Sequence, residues 1–272
     1  MESHLSSPWN NAVAFLSMFY GEQQLATGSC FFWRHDERTY LLTNWHNLAG
    51  RNPLTAQPLS PTGGIPDRVR FMAYKPASAP DVDGYYNITY VPVEVTLCNC
   101  ELTHPKWFEH PSSGRKVDVA ALDVTEEIKG FQVETVNAIE SDALHKLEAS
   151  QDVFVIGFPF GLITNAPAPI WKRGTIALDP TYDPDGLPKM FIDTATREGM
   201  SGSVVVARHV NFGPYTTKDG SKSKTMLYFK HNLVIGIYSG RHYPDLEKAQ
   251  LGIVWKRTAI EQTVEARRLV DI

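Results

Sequence analysis

Cysteine is scarce in this chain of 272 residues, with only Cys30, Cys98 and Cys100 present. Three is an odd and low number, which excludes the disulfide framework that small secreted domains use for stability. Long apolar runs are missing too. No stretch of about 18 apolar residues occurs, so no transmembrane helix is expected and a membrane is not an expected partner. The opening MESHLSSPWNN has neither a basic segment nor an apolar core of the secretory kind. With the low cysteine count, this makes a cytoplasmic location the expectation. A surplus of positive charge is lacking as well: 26 Lys and Arg stand against 30 Asp and Glu, a net charge of −4. That argues against nucleic acid as a main partner, because binding a phosphate backbone needs a basic surface.

Helical periodicity is also sparse. The chain shows about a dozen short apolar or alternating runs, separated by Gly, Pro, Asn and Asp turns, a pattern that reads as an all-β barrel or sandwich. Residues 34–38 look like a charged hairpin tip. Residues 54–67, 77–84 and 211–224 are rich in turn-forming and polar residues and read as surface loops. A short connector helix is expected over 141–149. A C-terminal helix is expected over 258–269, because Thr258 and Glu261 have the spacing of a capping box ahead of an apolar stripe. A boundary near residue 140 is expected to divide the chain into halves, 1–140 and 141–272.

Three segments carry residues suited to chemistry. In Gly199-Met-Ser-Gly202 two glycines flank a serine ahead of a β-rich run. Glycine accepts positive φ and lets a substrate backbone approach closely. Ser201 can therefore be a nucleophile on a tight turn, with the N–H groups of Gly199 and Ser201 as donors to an oxyanion. The bland reading of the same string is a plain β-turn. His46 ends the run Leu41-Leu-Thr-Asn-Trp-His, and a neutral imidazole is the natural general base for a serine. Its bland reading is a hydrogen-bonded structural histidine. Asp118 begins the apolar run Asp-Val-Ala-Ala-Leu. A buried carboxylate there is costly unless it is paired, and an imidazole would supply the pairing. The order His, Asp, Ser along the chain is that of the chymotrypsin-type triad.

Several strings resemble trypsin-like serine peptidases, and HtrA-like bacterial ones most of all. Thr27-Gly-Ser-Cys-Phe-Phe and Leu42-Thr-Asn-Trp-His resemble the strands that lead to the histidine. Asp118-Val-Ala-Ala-Leu resembles the aspartate element. Val155-Ile-Gly-Phe-Pro-Phe-Gly with Arg173-Gly-Thr-Ile resembles the opening of the second barrel. Asp193-Thr-Ala-Thr-Arg-Glu-Gly-Met-Ser-Gly-Ser resembles the serine loop, and Val234-Ile-Gly-Ile-Tyr-Ser the strand along the primary pocket. The resemblance implies two packed six-stranded antiparallel β-barrels with His46 and Asp118 on the first and Ser201 on the second. It implies hydrolysis of a protein or peptide substrate through an acyl-enzyme, with no metal or organic cofactor, in a bacterial protein.

Substrate-binding roles follow from the resemblance for Ala195, Thr196, Ser239 and Gly240. Ala195 stands at the base of the pocket where trypsin has Asp, so small or medium apolar side chains are expected before the scissile bond. Ser239 and Gly240 would offer backbone groups to an extended peptide. The alternative is a catalytically silent or latent protease-like module that only binds peptides.

The departures from the family are specific. Asn47 replaces the Cys that follows the histidine in secreted relatives, and Met200 replaces the Asp before the serine, so trypsin-type zymogen activation is not expected. The interval between His46 and Asp118 is long, which puts an inserted loop near the site. Cys98, Cys100, His104 and His110 lack the spacing of a structural zinc site and read as ordinary thiols and imidazoles. Asp179, Asp183 and Asp185 lack the alternation of a calcium loop and read as a solvated turn.

Overall fold

A computed structural model describes residues 7–76, 88–98, 104–140, 146–162, 168–195, 198–216, 222–240 and 249–270. The expected loop at 77–84, most of the expected helix at 141–149, Thr196 and Cys100 lie outside these. After a one-turn helix α1 (Trp9–Ala12), the first half carries β1 (Val13–Tyr20), β2 (Gln23–His35), β3 (Arg38–Thr43), α2 (Trp45–Ala49), β4 (Arg68–Pro76), β5 (Ile88–Thr96), β6 (Trp107–Glu109) and β7 (Ala120–Asp123). A short α3 (Val136–Ile139) leads on. The second half carries β8 (Asp152–Gly157), β9 (Ile170–Ile176), β10 (Lys189–Asp193), β11 (Val204–Thr216), β12 (Lys222–Gly240) and β13 (Leu251–Lys256), then α4 (Arg257–Ala266) and β14 (Arg268–Leu269).

The architecture is all-β and chymotrypsin-like. The second half closes into a six-stranded barrel in the order β10-β13-β12-β11-β8-β9. The first half corrects the expectation of a second six-stranded barrel, because it is an open eight-stranded sheet in the order β14-β6-β7-β3-β2-β1-β4-β5. The reason lies at its edges. Strand β6 has three residues, and its free side is taken by β14, with Arg268 opposite Glu109 and Leu269 opposite Phe108. Among the described residues between the β5 end and β6, the pairing is limited to the isolated bridge Cys98–Pro105.

Near-continuous apolar runs arise because many strands are buried on both faces. Side chains alternate along a strand. On β2, Phe31 and Trp33 join the core between the two halves, while Cys30 and Phe32 join the core inside the first sheet. On β11, Val204 and Val206 face the shared core, while Val205 and Ala207 fill the barrel. Trp9 reaches the second half and meets the Trp171 ring edge-on at 5.7 Å.

Three local expectations differ from what is found. The segment 211–224, read as a loop, consists largely of the outer ends of β11 and β12, which stay paired from Val204–Ile237 out to Thr216–Lys222. Only residues 204–207 of β11 also pair with β8. A two-stranded ribbon, in which each strand has a single partner, needs no apolar alternation, so it carries no strand signal. Residues 146–149 of the expected connector are not helical. The C-terminal helix begins at Arg257 after Lys256, with no side-chain cap. Glu261 binds Arg257 Nε at 2.7 Å instead of completing a capping box. That helix stops at Ala266, because Arg267 takes φ +48° and turns the chain into β14. No helix among the described residues is long and apolar enough to cross a membrane.

Candidate active site

His46 sits in α2, directly after β3. The helix is held from behind: Trp45 Nε1 donates to the buried Glu109 Oε2 at 3.0 Å, and the Trp45 ring meets Trp107 edge-on at 6.0 Å. Gly50 closes the helix in the left-handed region, at φ +61°, where other residues are strained.

Asp118 lies in the extended link before β7 and is 1% exposed. Burying a carboxylate is costly unless donors surround it. Its Oδ1 accepts the His46 backbone N–H at 2.9 Å, and its Oδ2 faces His46 Nδ1 at 2.7 Å. Ser239 Oγ donates to the same Oδ2. Asn44 Nδ2 fixes the local backbone by donating to Asp118 O at 2.8 Å. With a carboxylate oxygen against Nδ1, the imidazole proton belongs on Nδ1, which leaves Nε2 with a lone pair for a base.

Ser201 arrives from the other half, on the turn between β10 and β11. Gly199 and Gly202 adopt φ +84° and +87°. A Cβ on Gly199 would stand 2.5 Å from Phe158 O, and one on Gly202 would stand 2.0 Å from Ser29 O. Both contacts are prohibitive, so the close approach requires glycine at these two positions.

The turn is bolted to the first sheet. Ser29 N–H donates to Ser201 O at 2.8 Å, Ser29 Oγ donates to Gly199 O at 2.8 Å, and Asn47 Nδ2 reaches Ser201 O at 3.3 Å. Met200 points the other way and is fully buried in the barrel core. His46, Ser201 and Gly199 line one cleft of about 580 Å³.

The structure therefore brings His46, Asp118, Ser201, Gly199, Ser239 and Gly240 together. An ideal Cβ on Gly240, at the end of β12, would be 3.5 Å from Ser201 Oγ. Ser239, expected to serve the substrate with its backbone, spends its hydroxyl on Asp118. Ala195 is exposed just beyond β10. Sequence reasoning gives no role to Ser29, Asn44 or Glu109, whose polar side chains bond backbone or indole groups far along the chain. Asn47 was noted only for the missing Cys. It packs where Gly28 leaves space, since a Cβ there would be 2.9 Å from Asn47 Nδ2, and it also donates to Thr43 Oγ1 at 2.9 Å. Cys30 is 0% exposed and burial pushes its thiol pKa well up, so it is a core residue and not a nucleophile.

The family model described as trypsin-like peptidase domain matches residues 28–211. The chain belongs to the trypsin-like peptidase family. Two solved structures of the Rv3671c protease from M. tuberculosis H37Rv, both in an inactive form, are similar to the chain. Each is 16% identical with TM-score 0.47 and covers 94% of this chain and 86% or 89% of the other. A serine endoprotease from Yersinia pestis is 14% identical with TM-score 0.46, over 97% of this chain and 67% of the other. No curated protein sequence matches the chain significantly. As a trypsin-like peptidase the chain belongs with serine proteases, enzymes that act on protein or peptide substrates.

Proposed function

We propose that the protein is a serine endopeptidase in which Ser201 is the nucleophile, His46 the general base and Asp118 the acid that orients it. The observation that carries the reading is the buried Asp118–His46 pair at 2.7 Å, opening on the cleft that also holds Ser201. Ser201 Oγ attacks the substrate carbonyl carbon as its proton passes to His46 Nε2. The tetrahedral intermediate then collapses, the C–N bond breaks, and His46 returns that proton to the leaving amine. Water, deprotonated in the same way, hydrolyses the acyl-enzyme and restores Ser201. Asp118 stays ionised and stabilises the imidazolium.

The backbone supports an oxyanion hole made by the Gly199 and Ser201 N–H groups. Glu198 O accepts the Phe160 N–H at 2.7 Å. In a planar trans peptide the C=O and N–H point in opposite directions, so the Gly199 N–H is directed away from Phe160. Such donors are worth about 3 kcal/mol each in related sites. Before the scissile bond, the absence of a carboxylate at Ala195 favours small or medium apolar side chains over Lys or Arg. A peptide library with a strong Lys or Arg preference would refute that.

The test is labelling of the purified protein with a fluorophosphonate probe, with Ser201→Ala as control. Labelling that vanishes in the variant is the expected result. A folded wild-type protein that stays unlabelled overturns the reading in favour of a latent enzyme or a peptide-binding module.

A further inference from the structure

The cleft beside Ser201 has a wall that the chemistry above does not use. Its floor is Met18, 2% exposed on β1, and its sides are Leu25 on β2 and Leu59 and Pro61 from the segment between α2 and β4. That segment is built against the site. Leu59 N–H donates to Gly50 O at 2.8 Å, at the end of the helix that carries His46. Gly64 lies so close to Leu25 that a Cβ would meet Leu25 Cδ2 at 2.8 Å, and one on Gly50 would meet Pro66 Cδ at 2.4 Å. Leu59 itself stays 51% exposed at the lip. Met18, Leu25, Leu59 and Pro61 thus form one apolar wall beside Ser201, and an apolar patch rimmed by polar residues marks a binding groove.

The side of the cleft decides which part of a substrate would cover it. The end of β12, with Ser239 and Gly240, lies on one side of Ser201. The cleft in question is walled instead by His46, Asn47 and β2. His46 hands its proton to the departing amine, so the leaving group sits on the histidine side. Among the described lining residues the one ionisable group besides His46 is Glu198, an exposed carboxylate.

We infer that this wall is a subsite for the residue following the scissile bond, selecting a large apolar side chain there and rejecting an acidic one. The inference rests on the reading of Ser201 as nucleophile, and Leu25 and Leu59 are its specificity-determining residues.

Internally quenched peptides that differ only after the scissile bond, with Leu, Gly or Asp, test it. Wild type is expected to cleave the Leu peptide at least about tenfold faster in kcat/KM than the Gly peptide, the scale of a filled apolar pocket. The Asp peptide is expected to be slowest. The Leu-to-Gly ratio should fall towards one in Leu59→Ser and in Leu25→Ser, and persist in Leu59→Met and Leu25→Met, which control for folding. Protein that is labelled by the fluorophosphonate but cleaves all three peptides equally overturns the subsite and leaves the nucleophile standing. If the wild type is not labelled, calorimetric titration of the full chain with peptides that begin with Leu or Asp decides the matter. Leu-selective binding that is lost in Leu59→Ser upholds the subsite even as the nucleophile reading fails, and equal or absent binding overturns it.

Discussion

The two halves of the molecule hold their shares of the site by different means. In the first, Asp118 and His46 are fixed by side-chain hydrogen bonds inside a buried polar network. In the second, Ser201 is fixed by backbone conformation, with two left-handed glycines pressed against carbonyl oxygens of other segments. A side-chain network ties chemistry to the identity of its polar atoms, and an isosteric swap leaves its shape intact. A glycine turn ties the fold itself to the absence of a Cβ. Changes to the polar network of the first half should therefore damage rate more than stability, and changes at the two glycines of the second half the reverse.

The largest effect that would break this contrast is at Asp118. Asp118→Asn keeps the volume but favours the wrong imidazole tautomer, and kcat for peptide hydrolysis is expected to fall about 10⁴-fold, the size seen in chymotrypsin-type triads. A rate within tenfold of wild type would remove Asp118 from its role. Next comes Gly202→Ala. Its methyl would meet Ser29 O and Thr43 Oγ1 at a φ that alanine resists. Strain and overpacking together should cost roughly 3 kcal/mol or more, read as a lower midpoint in urea. A midpoint close to that of wild type would show that the turn yields where the geometry says it cannot.

Ser239→Ala sharpens the comparison, because its hydroxyl comes from the second half but serves the first. Removing one donor from a buried carboxylate should cost about 1–3 kcal/mol in stability. Activity should fall less than in Asp118→Asn, since the His46 contacts remain.

The smallest expected effect is a pH dependence at His110. Burial lowers its pKa below the usual histidine value, although the Gln262 hydrogen bond opposes that. Its Nδ1 accepts the Ser113 N–H at 3.2 Å and its Nε2 meets Gln262 Oε1 at 2.8 Å, an arrangement for a neutral ring. Below about pH 6.5 the unfolded chain takes up a proton that the folded ring resists, so stability is lost as pH falls through that window. Above it both states are neutral and the contribution is flat. His110→Gln should flatten the dependence of the urea midpoint on pH below 6.5, and an unchanged slope would assign the acid sensitivity to other groups.

Much of this was legible in the linear chain, and the failures have a common cause. Short β-rich runs announced an all-β fold because side-chain alternation is a local property of two residues. The glycines around Ser201 were legible because a positive φ is demanded of one residue at a time. The capping box at Thr258 failed because Arg257 offered Glu261 a stronger, charged partner. The ribbon at 211–224 failed because a strand paired on one side alone leaves composition free.

What the sequence determined by itself was therefore the material of the site and its order along the chain: a histidine after a strand, an aspartate before one and a serine between glycines. The tertiary structure alone decided that the first sheet stays open with β14 on its edge. It also carried Ser239 across 121 positions to Asp118 and stood the segment from Leu59 to Pro66 beside the cleft. These are pairings between distant segments, and local periodicity holds no information about which distant edge or carboxylate a strand or hydroxyl will meet.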